Sequence, residues 1–213
     1  NVSFGEGVFM TYKFFTKALV LLFLVSSCNN IKEKEIKDEI TVNLEYELKT
    51  IDPALNSGSY GFIYINHAFE GLLNKDTNNN IIEGIADKWE ISEDNLKYTF
   101  HLRDNAKWSD GKKVTAEDFL YSFRRAVNPE TASPMSYLME YIKNAKDITR
   151  GLKPVQSLGV IAVDENTLII ELEAPTLYFL DIVASGGVYV PVREDIIETY
   201  GDDWTWKPET YIG

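Results

Sequence analysis

Residues 98–125, with the sequence YTFHLRDNAKWSDGKKVTAEDFLYSFRR, decide the fold of this chain. Apolar and polar residues alternate over 98–103, which is the period of a strand with one buried face. Turn residues follow at 104–105 and again at 109–111. Thr115 and Asp118 then form an approximate capping box, and apolar residues recur at helical spacing as far as Val127. The stretch therefore predicts a strand, a tight loop and a helix, and nothing in it implies catalysis.

Three segments of this stretch, FHLR, KWSDG and VTAEDFLYSFRR, also resemble a known family in their order and spacing. They are similar to the extracytoplasmic peptide-binding proteins of ABC importers (the oligopeptide/dipeptide/nickel-binding family), and most similar to its oligopeptide binders. Further similar segments are IDP at 51–53, EGLL at 70–73 and NPETASP at 128–134. The resemblance covers nearly all of 41–213. It implies an α/β fold, namely a type II periplasmic-binding-protein lobe with an inserted α+β subdomain.

The resemblance also implies a domain organisation. Residues 41–56 and 174–213 would belong to an incomplete first lobe, and residues 57–173 would form the inserted subdomain. Because members of the family are more than twice as long, the resemblance implies an N-terminal fragment whose second lobe is missing. We therefore expect residues 28–213 alone to bind peptides weakly, since half of the cleft would be absent.

The resemblance places the ligand cleft beside a short loop, with contacts at Ser57, Gly58, Ser59 and Tyr60. In this family the backbone of the bound peptide pairs with main-chain segments of this kind, as an added strand does in β-augmentation. A further contact is implied near the start of a helix predicted over 135–148, either at Tyr137 or at Met135. The composition of the loop is also compatible with an ordinary surface turn, and Met135 and Tyr137 are also compatible with core packing.

The first 28 residues resemble a bacterial lipoprotein leader, with Met10 as the expected start. Residues 18–25, ALVLLFLV, are too few to span a bilayer and are typical of a signal-peptide core. The following VSSC ends at Cys28 and resembles a lipoprotein cleavage box, which implies acylation of Cys28 and anchoring to a bacterial membrane outside the cytoplasm. The alternative is a free cysteine in an N-terminal membrane helix. Residues 28–40 are mostly charged or polar and predict a flexible tether.

The residue pattern along the rest of the chain predicts further elements. They are a strand over 41–47, a helix over 60–73, a hairpin over 158–172, a short helix over 178–184 with a flexible break at 186–187, and a strand over 188–192.

Composition and motifs argue against several function classes. A formal net charge of -12 would repel nucleic acid. The sequence contains no GxSxG, HExxH or P-loop motif, so we do not predict an enzyme. The two histidines, His67 and His101, have no partner at metal-ligand spacing, and Asn-rich 76–80 predicts a turn rather than a calcium loop, because Ile81 replaces the required glycine. No metal and no cofactor are predicted.

Taken together, the sequence predicts a substrate-binding lipoprotein that captures oligopeptides for an ABC transporter. Its expected partners are oligopeptides, the permease subunits of the transporter, and the lipid bilayer through acylated Cys28. Two alternatives stay open. One is a surface interaction or adhesin lipoprotein on the same scaffold, and the other is a member of the same family with a ligand such as nickel or haem.

Overall fold

The structure, a computed structural model, describes Asn43 and residues 47–213. The predicted leader (1–27), the tether (28–40) with Cys28, and most of the predicted strand at 41–47 lie outside the described residues. Within the described part, one hydrophobic core extends from Ile65 to Ile212 along the chain. This core contains residues from the predicted first lobe (174–213) and from the predicted inserted subdomain (57–173). The boundaries between these two parts stay a prediction.

The described residues form five α-helices, six strands and four short 3-10 segments. The helices are α1 (Ser59–Ala68), α2 (Ala116–Val127), α3 (Ala145–Thr149), α4 (Phe179–Val183) and α5 (Glu194–Tyr200). The strands are β1 (Leu73–Lys75), β2 (Ile81–Glu83), β3 (Ala86–Ile91), β4 (Lys97–Leu102), β5 (Val160–Ala162) and β6 (Thr167–Glu171). The 3-10 segments are Ser136–Met139, Val155–Ser157, Gly187–Tyr189 and Gly201–Thr205.

The predicted strand of the opening stretch is β4, and it lies inside a four-stranded antiparallel sheet of order β3-β4-β6-β5. Tyr98, Phe100 and Leu102 are buried while the residues between them are half-buried, so the alternation in the sequence does mark one core face. Phe100 pairs with Trp89 on β3 and with Leu168 on β6. The predicted hairpin at 158–172 is confirmed as β5 and β6.

The predicted helix is α2, which begins after Thr115 as the capping box indicates. The Asp118 carboxylate accepts a hydrogen bond from the Thr115 backbone N–H at 2.8 Å. Burial raises the pKa of Asp118, against the opposing effect of the hydrogen bonds from Thr115. Phe119 and Phe123 are fully buried, and burying a side chain of this size contributes about 1.5–3 kcal/mol relative to leaving it exposed. The apolar face of α2 therefore fixes the helix on the sheet.

The helix predicted over 135–148 is wrong, because the structure has the 3-10 segment Ser136–Met139 and the short helix α3 in its place. The main chain between them is bonded to the sheet: the Lys143 N–H donates to Glu171 O, and the Lys143 carbonyl accepts from the Gly159 N–H, both at 2.9 Å. Asn144 then adopts a left-handed conformation with φ of 67°. Pairing with the sheet has thus replaced the i to i−4 bonds that a continuous helix needs.

Two further local predictions need correction. A helix predicted over 60–73 ends at Ala68, because the following main chain pairs with the start of β3 through the Ala86 N–H to Leu72 O bond of 2.9 Å. A strand predicted over 188–192 is instead the 3-10 segment Gly187–Tyr189, and in the chain after it the Val192 N–H donates to Ser122 Oγ rather than to a neighbouring strand. The predicted turn at 76–80 is confirmed, and it joins β1 to β2 in a hairpin.

Candidate ligand-binding pocket

A pocket of about 340 Å³ lies beside the start of α1, and we call it the α1 pocket. Four of the six predicted peptide contacts line it, namely Ser57, Gly58, Ser59 and Met135. The structure thus brings together a loop and a residue that lie far apart in the sequence. Its other lining residues are Pro53, Asn56, Phe62, Ile63, Leu138, Ser185, Gly186, Gly187 and Val188.

The other two predicted contacts, Tyr60 and Tyr137, are not among the residues that line the α1 pocket. Tyr60 lies in the first turn of α1, one residue past the part of the loop that faces the pocket. Tyr137 is 57% exposed and lies on the 3-10 segment Ser136–Met139. Of the two residues offered for the second contact, Met135 is therefore the one that the structure places at the pocket.

The loop before α1 is shaped by the side chain of Asn56, which is buried. Its Nδ2 donates to the Gly58 carbonyl at 3.1 Å, and its Oδ1 accepts from the Gly58 N–H at 3.2 Å. A Cβ on Gly61 would lie 2.1 Å from Asn56 Oδ1, so glycine is needed there to let the side chain approach. The Asn56 amide therefore fixes the main chain that faces the pocket.

Asp52 anchors the start of the same loop. It is only 3% exposed, and its carboxylate accepts bonds from Arg125 Nη1 at 2.8 Å, Arg125 Nη2 at 2.7 Å and Trp204 Nε1 at 3.0 Å. The Ala54 backbone N–H donates to the same carboxylate at 2.8 Å. A bidentate arginine is among the stronger partners that a buried carboxylate can have. Three separate parts of the chain therefore meet at one side chain.

The opposite wall of the pocket is built by Gly186 and Gly187, whose φ values are 74° and 62°. Asn66 on α1 holds this segment, because the Gly187 N–H donates to Asn66 Oδ1 at 3.1 Å. A Cβ on Gly187 would lie 2.7 Å from Phe62 Cε2, and a Cβ on Gly186 would lie 2.3 Å from Asn66 Oδ1. Both positions require glycine for conformation and for space. Sequence reasoning placed only a flexible break here, although two adjacent glycines were a usable signal.

Met135 is held in place by contacts between its 3-10 segment and the chain that follows α4. The Leu138 N–H donates to the Met135 carbonyl at 3.0 Å, and the Leu138 carbonyl accepts from the Tyr189 hydroxyl at 2.8 Å. Tyr189 is buried, and this burial raises the pKa of its hydroxyl, which stays protonated and keeps donating. Hydrogen bonds therefore join the segment that carries Met135 to the segment that follows α4.

The α1 pocket is lined by apolar side chains and small residues. The residues that line it include no ionisable side chain, and the walls carry the apolar side chains Phe62, Ile63, Met135, Leu138 and Val188. The loop contributes the small, exposed residues Ser57, Gly58 and Ser59. An apolar pocket beside small, exposed residues leaves room for an uncharged side chain carried on an extended backbone.

Residues 80–213 match a family model described as bacterial extracellular solute-binding proteins, family 5, middle. The chain belongs to this family. The predicted fold class, the α/β architecture of a type II periplasmic binding protein, is confirmed by the solved structures of such proteins that it matches. The family consists of solute-binding proteins.

Individual members of the family show how far the similarity extends. The chain is 40% identical over 179 residues to the periplasmic murein peptide-binding protein MppA of Escherichia coli, covering 83% of this chain and 33% of that protein. It is 40% identical over 171 residues to the periplasmic oligopeptide-binding protein OppA of Salmonella typhimurium, covering 79% and 31%. The structure of Listeria monocytogenes OppA bound to peptide matches with a TM-score of 0.75 and 35% identity, covering 78% and 33%. The chain thus spans about a third of the length of these relatives.

No group of three or more His, Cys, Asp or Glu side chains among the described residues is arranged to hold a metal ion. His67 is exposed, and its Nδ1 lies 2.8 Å from the Ile63 carbonyl oxygen. His101 lies on the sheet, where its Nε2 is 3.8 Å from Glu90 Oε1. Among the same residues, none of the helices has the length and apolar character that a bilayer crossing requires.

Proposed function

We propose that this protein captures oligopeptides outside the cytoplasm for import by an ABC transporter. The observation that carries the proposal is that Ser57, Gly58, Ser59 and Met135 line one pocket in a chain of this family. Relatives named as oligopeptide-binding proteins, and one solved with a bound peptide, support the assignment of the ligand.

In this mechanism the loop at Ser57–Ser59 pairs with the backbone of an extended peptide, and the α1 pocket takes one of its apolar side chains. Main-chain pairing does not depend on the peptide sequence, so many peptides can bind. The apolar walls then set a preference for size and hydrophobicity at one position. We further propose that 41–56 with 174–213 forms a first lobe carrying 57–173 as an inserted subdomain. Closure of this lobe onto a second would present the loaded form to the permease.

We also propose that the protein is anchored to a bacterial membrane through acylated Cys28, with residues 28–40 as a tether. The support is the apolar run at 18–25 followed by VSSC. Metabolic labelling with radioactive palmitate tests this point, with Cys28→Ser as the matched variant. Label should enter the wild-type protein and be lost in the variant. Label that persists in the variant, or that never enters the wild type, contradicts the anchor.

Calorimetric titration tests the binding proposal, using protein expressed from its complete reading frame. Mixtures of tripeptides and of longer peptides are compared with nickel and with haem, the other ligands considered for this family. The proposal predicts saturable one-to-one binding of peptides. Binding of nickel or haem together with no response to any peptide mixture would reject peptide as the ligand and leave the family assignment in place.

A further inference from the structure

We infer that Arg125, in the last turn of α2, is a positioning residue for the peptide-binding loop and acts through Asp52. The inference rests on the proposed function, because it concerns the same loop at Ser57–Ser59. Arg125 does not line the α1 pocket and would not touch a peptide there. Its influence comes from the hydrogen bonds that connect it to the loop.

The first part of that connection is the buried ion pair. Arg125 places both Nη atoms on the two carboxylate oxygens of Asp52, and its side chain is 13% exposed against 4% for Asp52. Trp204 Nε1 donates to the oxygen that Arg125 Nη2 also contacts. The planar guanidinium therefore sets both the position and the rotation of the carboxylate.

The second part runs from Asp52 into the loop. The Asp52 carboxylate accepts from the Ala54 N–H, and the Asp52 carbonyl accepts from the Leu55 N–H at 3.1 Å and the Asn56 N–H at 2.8 Å. The Asn56 side chain then binds both the N–H and the carbonyl of Gly58. Hydrogen bonds thus connect Arg125 to Asp52, Asp52 to Asn56, and Asn56 to the main chain of Gly58, which faces the pocket.

Removal of Arg125 would leave a buried carboxylate without a cation, an arrangement that proteins avoid. The segment that starts at Asp52 would have to move to bring the carboxylate to water, and the loop would move with it. Because the loop contacts the peptide backbone, the loss of affinity should be the same factor for every peptide. A defect in the α1 pocket would instead depend on the peptide side chain.

Arg193 provides a matched control, because it is also a buried arginine in an ion-pair cluster. Its side chain is 6% exposed, Nη1 lies 2.9 Å from Asp110 Oδ2, and Nε lies 2.7 Å from Asp195 Oδ1. It also stacks against Trp108, with 5.9 Å from its guanidinium carbon to the ring centroid. Neither Arg193 nor its partners line the α1 pocket. Arg193→Met therefore removes a buried arginine from its ion pairs at a place outside the α1 pocket, although its partners Asp110 and Asp195 are more exposed than Asp52, at 28% and 53% against 4%.

The experiment compares Arg125→Met and Arg193→Met in the protein from its complete reading frame, by calorimetry with a tripeptide series that varies one side chain. Trp204→Phe is included as a gentler variant, because it removes one donor to Asp52 and keeps an aromatic side chain at that position. The loss of one or two main-chain hydrogen bonds to the ligand corresponds to about tenfold weaker binding. We expect that loss in Arg125→Met for all peptides, a smaller uniform loss in Trp204→Phe, and affinity within about twofold of wild type in Arg193→Met.

The inference is overturned if the Asp52-linked variants bind like the wild type, if Arg193→Met loses as much affinity as Arg125→Met, or if the loss depends on the peptide side chain. If Arg125→Met does not fold, Trp204→Phe alone decides, and unchanged affinity in it overturns the inference. A wild-type protein that binds no peptide refutes the proposed function itself. That outcome is distinct from a wild type that binds peptides and an Arg125→Met variant that binds them equally well.

Discussion

Replacement of Gly187 by alanine should destabilise the protein well beyond the ordinary cost of a glycine substitution. Gly187 has a φ of 62°, and a Cβ built on it would lie 2.7 Å from Phe62 Cε2. Alanine in the left-handed region costs about 1–2 kcal/mol, and overpacking a well-filled site costs about 1–3 kcal/mol. The two effects together predict a loss of about 2–5 kcal/mol in the free energy of unfolding.

Gly151→Ala separates these two contributions. Gly151 has a φ of 70°, and a Cβ built on it would meet no atom within 4 Å. Only the backbone cost of about 1–2 kcal/mol should therefore appear in this variant. Phe62→Ala completes the comparison, because removing the ring should relieve the clash at Gly187. In the double variant, the added cost of Gly187→Ala should fall to that of Gly151→Ala.

Urea unfolding of the wild type, the three single variants and the double variant provides the assay, and equal m-values support a two-state comparison. Two results would refute the reasoning. The first is an equal loss of stability in Gly187→Ala and Gly151→Ala. The second is a cost of Gly187→Ala that is the same with and without the Phe62 ring, since the close approach of that ring is the whole basis for the difference.

Three further predictions follow from the site and its surroundings. Calorimetry on Met135→Ala and Tyr137→Ala should show the larger loss of affinity for peptides with a bulky apolar side chain in Met135→Ala, and the reverse order would place the second contact at Tyr137. The hydrogen bond from Arg193 lowers the pKa of Asp195, so this carboxylate contributes stability above the ordinary aspartate pKa and loses it as the pH falls through its own lowered value. Urea unfolding should therefore show Asp195→Asn less stable than wild type at pH 7, with a difference that shrinks in acid, and a constant difference would contradict this origin. Purified residues 28–213 should bind peptides weakly, and submicromolar binding measured by calorimetry would contradict that expectation.

The parts of the fold that could be predicted are those that local sequence determines. β4 follows from the alternation around Phe100, and α2 follows from Thr115 with Asp118 and the apolar spacing after them. The predicted helix over 135–148 failed because the main chain of Lys143 is bonded to Glu171 and Gly159. Those partners belong to a hairpin that comes later in the chain, and no pattern within 135–148 predicts this pairing.

The same limit applies to the candidate site. The loop at Ser57–Ser59 was found through resemblance, and the structure adds Phe62 and the glycine segment that faces it. The anchoring of Asp52 by Arg125 joins residues 73 positions apart in the sequence. A single sequence contains no signal for such a pair, because burial and direction of both side chains depend on how α2 packs. The opening stretch therefore pointed to the family, while the pocket formed by other parts of the chain carries the proposed ligand contacts.

The most direct test of peptide capture in the α1 pocket is methyl NMR of the protein from its complete reading frame, labelled at methionine. Met135 lines the pocket, whereas Met139 is fully buried outside it and serves as an internal reference. The Met135 signal can be assigned with Met135→Leu. On addition of a tripeptide with a bulky apolar side chain, we expect the Met135 methyl resonance to shift and the Met139 resonance to stay in place. Saturating peptide that leaves Met135 unshifted, or that shifts both methyl groups equally, would contradict the account.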